Sequence, residues 1–349
     1  MSAVLPRDDE DGVLTPESRI RLTASVFAGR LFQVNTPVVT WYAQKFLAAI
    51  LEGCHGMLVC GRTRLGKSMG TRWVLNHLKD LVGSSVPWLE VPIRSVSDPT
   101  DGGFFEYLLV TAKHKHSSDG NGPEKRNRFV KWMLARARRS PLKMFVLALD
   151  EAHLLPPMAL EWLLNLDNEL DREQCRLFVL LVGNDDLLKM QEECLEKTNG
   201  EQFTERFMST DFRFTGLTSE DDLRQVLGAF DRTEYPYGSG KNFTWNYLPA
   251  LVAAQFNLSE LAPAMWQVLS NIWSEHLKGQ PIQVPMAHMT RALVLLLNSV
   301  AEEGGRERPT PPQIESAVER CNFERHVITR KMSDKAGSKG RRSTWGARI

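Results

Sequence analysis

The sequence has little cysteine, almost no net charge and no long apolar run. Its five cysteines among 349 residues form no C-x-x-C pair, which argues against a disulfide framework and favours free thiols in a reducing cytosol. Lys and Arg total 43 against 42 Asp and Glu, a formal net charge of +1. Any contact with nucleic acid must therefore come from a local basic patch rather than from the whole molecule.

No segment suggests a membrane span or a signal peptide. The longest apolar runs, such as 292–297, fall far short of the ~20 residues that a span needs, and the start, 1–11, is acidic and polar. Hydrophobic residues are 42% and charged residues 24%, which is typical of a globular protein, and the length of 349 residues suggests about two domains. We expect a soluble protein of the bacterial cytoplasm without a membrane partner.

A glycine-rich loop is the most informative feature that is present. An apolar strand candidate, 56–60, runs into 61–68, GRTRLGKS, which fits G-x-x-x-x-G-K-S and precedes a helical run over 68–81. Backbone N–H groups of such a loop, and the positive end of the following helix, face nucleotide phosphates. We predict that the loop binds ATP, with Lys67 on the β- and γ-phosphates and Ser68 on Mg²⁺. The predicted nucleotide-binding residues of the loop are Gly61, Arg62, Thr63, Arg64, Leu65, Gly66, Lys67, Ser68 and Met69. A glycine turn without a ligand would have to carry Lys67 and Ser68 by accident.

Two adjacent carboxylates follow a second apolar strand candidate, 144–149. Asp150 at the strand end can order the Mg²⁺ shell, and Glu151 lies where it can activate the attacking water as a general base. The alternative is a pair of residues that cap a helix. The loop upstream favours the catalytic interpretation, because hydrolysis needs both charge neutralisation and a positioned nucleophile.

Two further residues are candidates for catalysis. Asn184 follows the apolar strand candidate 177–182 and can hydrogen-bond the attacking water or the γ-phosphate, although Asn is also a common turn residue. Arg206 precedes the strand candidate 211–217 and can project to the γ-phosphate of a neighbouring subunit. Arg213 is its rival, and a structural salt bridge is the alternative for either arginine.

The order of elements predicts an α/β protein followed by a helical one. Apolar strands separated by helical segments indicate a parallel sheet that is covered on both faces, and 88–93 is a further strand candidate. Helices are expected after the sheet over 220–230, 259–273, 286–301 and 311–323. The expected organisation is an arm (1–35), an α/β nucleotide-binding domain (36–217), a smaller all-α lid domain (218–328) and a basic flexible tail (329–349).

A basic stretch between the second and third strands is the candidate DNA surface. Lys and Arg on flexible loops suit phosphate contacts that ignore sequence, and a Gly-Asn-Gly turn over 120–122 indicates such a loop. The candidate DNA-binding residues are Lys113, Lys115, Lys125, Arg126 and Arg128. For 131–139 we prefer a solvated helix face, because Val130, Met133 and Leu134 have the spacing of an inward face.

These motifs, in this order, resemble those of AAA+ ATPases, and the chain is most similar to the TnsC/TniB group of transposition regulators. The resemblance covers roughly residues 20 to 300. The shared features are Arg30-Leu31 with Thr36-Pro37 before the loop, Pro99-Thr100 with Phe105-Glu-Tyr-Leu-Leu109 after the second strand, Asp-Glu-Ala-His at 150–153, and Arg206-Phe207.

The resemblance implies a five-stranded parallel sheet of order 5-1-4-3-2, flanked by helices, and ATP bound between subunits of a ring of six or seven copies or of a filament. The ATP-bound protein would encircle double-stranded DNA, meet a target-selection protein or a CRISPR-associated targeting complex, and recruit transposase subunits. Hydrolysis would then disassemble the ring. One departure is the helix 259–273, which has no Arg or Lys where many AAA+ proteins place a sensor arginine. A replication initiator or helicase loader, and a nucleotide-gated scaffold with little hydrolysis, are the alternatives.

Overall fold

The computed structural model describes residues 34–343 except 98, 197–199 and 236–237, with side chains up to residue 334. The predicted arm (1–35) and its Arg30-Leu31 pair therefore lie almost wholly outside the described residues. The chain divides into two compact units, Val38–Phe214 and Thr215–Ile349 with the segment up to Pro37. Within the described part, no helix is both long and apolar enough to cross a membrane, and all five cysteines are free, as predicted.

A five-stranded parallel sheet forms the centre of the first unit. Its strands are β1 Gly56–Cys60, β2 Trp88–Pro92, β3 Met144–Asp150, β4 Arg176–Val182 and β5 Asp211–Arg213. They are ordered β2-β3-β4-β1-β5, and every pair is parallel. The predicted order 5-1-4-3-2 is confirmed.

Helices cover both faces of this sheet, because successive side chains of a strand point to opposite faces. Phe145 and Leu147 of β3 belong to one apolar cluster with helix residues such as Phe129, whereas Val146 belongs to another with Phe46. A strand that is buried on both faces reads as a continuous apolar run, which is why β3 could be recognised in the sequence. The helices of this unit are α1 Pro37–Leu51, α2 Lys67–Asn76, α3 Leu78–Val82, α4 Asp101–Thr111, α5 Gly122–Ala137, α6 Pro157–Arg172, α7 Asp186–Leu195 and α8 Gly200–Phe207.

The last strand is shorter than predicted. Residues up to 217 alternate in polarity, but β5 ends at Arg213. Leu217 instead makes an isolated antiparallel bridge with Val284, and a Cβ on Gly216 would lie 2.5 Å from the Val284 carbonyl oxygen. The alternation therefore reflects a second pairing outside the sheet.

The second unit is helical around one apolar core. Its helices are α9 Glu220–Arg232, α10 Pro249–Ala253, α11 Ala262–His276, α12 Met286–Glu302, α13 Pro311–Arg320 and α14 Phe323–Ser343, with 3₁₀ turns at Thr244–Asn246 and Leu258–Leu261. The Ser259–Trp273 prediction combines one of these turns with most of α11. Ser219 caps α9 by accepting the Asp222 N–H at 3.1 Å, the capping pattern expected from the sequence.

The tail predicted from residue 329 begins inside α14, which continues to Ser343. Phe323 and Val327 are fully buried in the helical core, so tertiary packing holds the first turns of this helix. The following segment contains no proline and is rich in Lys and Arg, which favour helix. Its high charge suggested disorder because charge alone does not show whether packed residues precede it.

Candidate functional site

The loop between β1 and α2 has a backbone that requires glycine at both ends. Gly61 has φ 154°, and a Cβ there would lie 2.5 Å from the Phe214 carbonyl oxygen. Gly66 has φ 107° and lies at the N-cap of α2, a conformation that side chains disfavour. Leu65 anchors the loop in the core, with 3% of its surface exposed. The loop is therefore fixed by the sheet beneath it.

Lys67 is the buried cation that the loop surrounds. Its Nζ donates hydrogen bonds to the carbonyl oxygens of Gly61 at 2.7 Å and Arg62 at 2.8 Å. Burial lowers the pKa of the Lys67 ammonium, and the negative charges of Glu151 and Asp150 oppose that shift. An ammonium held in this way is already desolvated and positioned for an anionic ligand.

The other loop residues differ in how far they are exposed. Ser68 and Met69 are half-buried in the first turn of α2, and Thr63 and Arg64 are exposed. Arg64 has φ 65°. Nothing in the structure explains why arginine stands at 64.

Three neighbouring strands bring the other candidate residues to the same edge of the sheet. Asp150 of β3 is in register with Val182 of β4, which is in register with Val59 of β1. The Gly183 N–H then donates to the Val59 carbonyl at 3.0 Å. The residues that follow these strands therefore meet beyond their carboxyl ends, where open parallel sheets bind ligands.

Asp150 and Glu151 differ in environment although they are adjacent. Asp150 is 7% exposed, and its Oδ1 accepts the Glu151 N–H at 3.1 Å. Glu151 adopts φ 56° and ψ 36°, and its side chain is half-exposed. A left-handed backbone at a residue that is not glycine costs about 1 kcal/mol or more and is frequent at functional sites.

His153 contacts this pair and was not predicted as a site residue. Its ring is 12% exposed, with Nδ1 3.5 Å from Glu151 Oε2 and Nε2 3.3 Å from Asn184 Nδ2. Asn184 Oδ1 also accepts the Asp186 N–H at 2.8 Å, so the turn role left open for Asn184 is realised beside its contact with His153. The sequence signal that could have identified His153 is its place two residues after Glu151 in Asp-Glu-Ala-His.

Comparisons with protein families and solved structures agree with this fold. Residues 51–191 match the family model described as AAA domain. The fold is that of an AAA+ P-loop NTPase. The ADP form of the Aeropyrum pernix ORC2 protein has a TM-score of 0.51 at 12% identity, over 84% of this chain and 70% of that one. A structure of the same protein described as ADPNP-ADP complexes has a TM-score of 0.50 at 14% identity, over 81% of this chain and 67% of that one. No curated protein matches the sequence.

Arg206 forms side-chain hydrogen bonds within its own chain. Its Nη1 donates to Asp167 Oδ2 at 2.9 Å and to Asn168 Oδ1 at 2.7 Å. Asp167 is 1% exposed, whereas Arg206 is 31% exposed, and His55 Nδ1 lies 3.1 Å from Asp167 Oδ1. This contact is the structural salt bridge that the sequence left open as the alternative for Arg206.

Arg213, the rival of Arg206, lies on β5, which pairs with the strand that leads into the glycine-rich loop. It pairs with Cys60 at the end of β1, and its side chain is 61% exposed, with Nη2 3.4 Å from Asp185 Oδ1. An exposed ion pair of this length contributes little to stability. The guanidinium is therefore held only loosely.

The five candidate DNA-binding residues divide into two groups. Lys113 and Lys115 are exposed in the turn after α4. The other three are engaged within the chain: Lys125 Nζ lies 2.5 Å from Glu106 Oε2, Arg126 Nε lies 3.9 Å from Glu169 Oε1, and Arg128 Nη1 donates to the carbonyls of His116 at 2.9 Å and Asp119 at 2.7 Å.

The segment 112–121 is thus more constrained than the mobile loop that was expected. Arg128 holds two of its carbonyls, His116 Nδ1 lies 2.7 Å from Asp119 Oδ2, and Asn121 with Glu124 forms a capping box at the start of α5. The inward face predicted for α5 is confirmed, since Val130, Met133 and Leu134 are buried.

Proposed function

We propose that this protein is an ATP-hydrolysing AAA+ regulator of DNA transposition. It would assemble on double-stranded DNA, link a target-selection protein to transposase subunits, and leave the DNA after hydrolysis. The observation that carries the ATPase part is the common register of β1, β4 and β3. It brings the Lys67 loop, Asn184 and the Asp150-Glu151 pair to one edge of the sheet.

ATP would bind along residues 61–69, with the α2 N-terminus and the loop N–H groups facing its phosphates. Lys67 supplies the fixed positive charge. Ser68 and Asp150 offer oxygen ligands of the kind that Mg²⁺ prefers, and the buried position of Asp150 suits a cation site because a buried carboxylate needs a compensating charge. The ion, when bound, would neutralise negative charge on the phosphates.

Glu151 would act as the general base, because its carboxylate is half-exposed and so can reach a water beyond the strand ends. It takes a proton from that water as the water oxygen forms a bond to the γ-phosphorus and the bond to the ADP oxygen breaks. Asn184 would orient the water. The helical residues after 218 would serve as the lid.

Arg206 would act on the nucleotide of a neighbouring subunit, if it leaves Asp167 and Asn168 in the assembly. The pairing seen in the single chain favours the structural alternative, whereas the position in the last turn of α8, just before β5, favours the intersubunit role. The two roles predict different results in assemblies that mix Lys67→Ala with Arg206→Ala subunits.

DNA binding would involve Lys113 and Lys115, which are exposed and unlike Lys125 have no carboxylate contact among the ion pairs of the described residues. The transposition role rests on the resemblance of motifs and lead-in to the TnsC/TniB group. The likeness to the Aeropyrum pernix ORC2 protein, at 12% identity, concerns the fold and does not favour a replication initiator.

The first experiment compares the wild-type protein with Lys67→Ala in two assays: ATP-dependent binding to duplex DNA, and transposition of a marked element that carries the gene. We expect Lys67→Ala to lose both, because the loop loses its central cation. Lys45→Ala, which changes an exposed lysine of α1, is the matched control. DNA binding that depends on ATP together with normal transposition in cells lacking the gene would favour the initiator or loader. Nucleotide-dependent DNA binding without phosphate release would favour the scaffold.

A further inference from the structure

We infer that His153 is a positioning residue that fixes the Glu151 carboxylate through one tautomer selected by Asn184. This inference rests on the proposed role of Glu151 as the base. Three side chains carry it: the Glu151 carboxylate, the His153 ring and the Asn184 amide, which follow one another at the ends of β3 and β4.

The orientation of the Asn184 amide is set by the backbone. Its Oδ1 accepts the Asp186 N–H at 2.8 Å. The reverse orientation would place an NH₂ group against that N–H donor. Asn184 Nδ2 therefore faces His153.

The amide in turn selects the histidine tautomer. Nδ2 is a donor only, and His153 Nε2 lies 3.3 Å from it. A neutral ring that accepts at Nε2 must carry its proton on Nδ1. A ring protonated on Nε2 would direct a hydrogen against the amide hydrogens.

The Nδ1 proton then faces Glu151. Nδ1 lies 3.5 Å from Glu151 Oε2, and Nδ1 has no hydrogen-bond partner within the described residues. The His153 side chain is only 12% exposed, so water competes little for the Nδ1 proton. A small movement of the Glu151 side chain closes the hydrogen bond and fixes the direction of the carboxylate.

The space around the ring holds it in place. A Cβ on Gly183 would lie 2.9 Å from His153 Nδ1 and 2.9 Å from Leu187 Cδ1. Glycine at 183 thus lets the ring approach the end of β4. The left-handed backbone of Glu151 directs its carboxylate back towards a residue only two positions later in the chain.

The roles of the two ring nitrogens can be separated by substitution. His153→Asn places an amide near the position of Nδ1 and can donate to Glu151, whereas His153→Gln places its amide near Nε2 and serves Asn184 only. His153→Phe keeps the ring volume and removes both contacts. His276→Phe, on α11 of the other unit, is the matched control.

We expect His153→Phe to lower kcat for ATP hydrolysis by about tenfold or more, since small misplacements of a catalytic group have effects of this size. The KM for ATP and the affinity for ADP should stay within about twofold, and His153→Asn should recover more of the activity than His153→Gln or His153→Phe. A role in packing alone predicts the opposite order, with Phe the most active of the three, and that result would overturn the inference.

The tautomer itself gives a second readout that does not depend on a variant's activity. With ¹⁵N-labelled histidine, the resonances of His153, among 8 histidines, are assigned by their absence from His153→Phe. We expect the neutral ring to carry its proton on Nδ1 in the wild-type protein. A proton on Nε2 would overturn the inference. An active Glu151→Gln would instead remove the proposed base, whereas an inactive Glu151→Gln with a fully active His153→Phe would contradict only the positioning role.

Discussion

At the scale of single residues, the candidate catalytic residues lie at the ends of buried strands, whereas the residues within those strands pack in the core. Asp150 ends β3 and Asn184 lies two residues after β4, and both strands are almost wholly buried, so a polar residue at that point marks the edge of the sheet. Lys67 and these residues could be predicted from the sequence because the strands are recognisable as apolar runs. For His153 the sequence offers only its place in Asp-Glu-Ala-His, since a lone histidine in a 3₁₀ turn has no periodic signal, and only the fold places it beside Asn184.

Asp167 gives a residue-scale prediction about stability. It is 1% exposed and joins Arg206 to His55, so Asp167→Ala leaves the Arg206 guanidinium without its buried partner. We expect a loss of about 2 kcal/mol in the free energy of unfolding, because Arg206 and His55 are both partly exposed and water replaces part of their interaction with Asp167. Chemical denaturation followed by circular dichroism measures this change.

Glu169→Ala is the control for that measurement. Glu169 lies on the same helix, and its contact with Arg126 spans 3.9 Å between partly exposed groups, so its loss should cost less than about 1 kcal/mol. Equal effects of the two variants would show that Asp167 is not the organising carboxylate of this cluster.

At the scale of elements, the sequence predicts whether a segment is a helix or a strand better than it predicts the residues at which the element begins and ends. The periodic segments α9 and α12 are predicted within about two residues, the usual uncertainty of helix ends. The helix predicted over 68–81 is divided at His77 into α2 and α3, and β5 is shorter than its alternating pattern. The shorter β5 has a tertiary cause. The following residues pair with Val284, which no local pattern could indicate.

The turn between α4 and α5 carries an element-scale prediction about DNA. Lys113→Ala with Lys115→Ala should weaken binding to duplex DNA and reduce the slope of log K against log salt by about 2, because each phosphate contact releases about 0.9 counterion. The affinity should fall by a similar factor for unrelated sequences, since phosphate contacts carry no base information. Fluorescence anisotropy at several salt concentrations measures both quantities.

The control pair is Lys45→Ala with Lys79→Ala, which removes two exposed lysines on α1 and α3. It removes the same charge from other elements of the unit and should leave the slope near that of the wild-type protein. A slope that changes equally in both pairs would mean that the effect comes from net charge, and that the DNA surface lies outside the α4–α5 turn.

At the scale of the whole molecule, the proposed intersubunit role of Arg206 would have one subunit complete the site of another. The prediction concerns mixtures of two inactive proteins. Lys67→Ala subunits cannot bind ATP productively but keep Arg206, whereas Arg206→Ala subunits keep an intact P-loop. If Arg206 acts on a neighbouring subunit, mixing the two should restore ATP hydrolysis, because each productive site would combine an intact loop with an intact arginine.

Thermal unfolding of Arg206→Ala alone separates this result from the structural alternative. Absence of recovery on mixing, together with a loss of stability similar to that of Asp167→Ala, would assign Arg206 to the salt bridge with Asp167. Recovery with near-normal stability would support the intersubunit role.

The central claim is that ATP binding drives assembly on duplex DNA, and electron microscopy of Glu151→Gln tests it most directly. With ATP, Mg²⁺ and a duplex, this variant should bind nucleotide but hydrolyse it slowly, so assemblies should accumulate. We predict rings or filaments threaded by DNA that are absent without ATP and absent with Lys67→Ala. Single subunits under all three conditions, or the same assemblies with Lys67→Ala as with Glu151→Gln, would contradict the account.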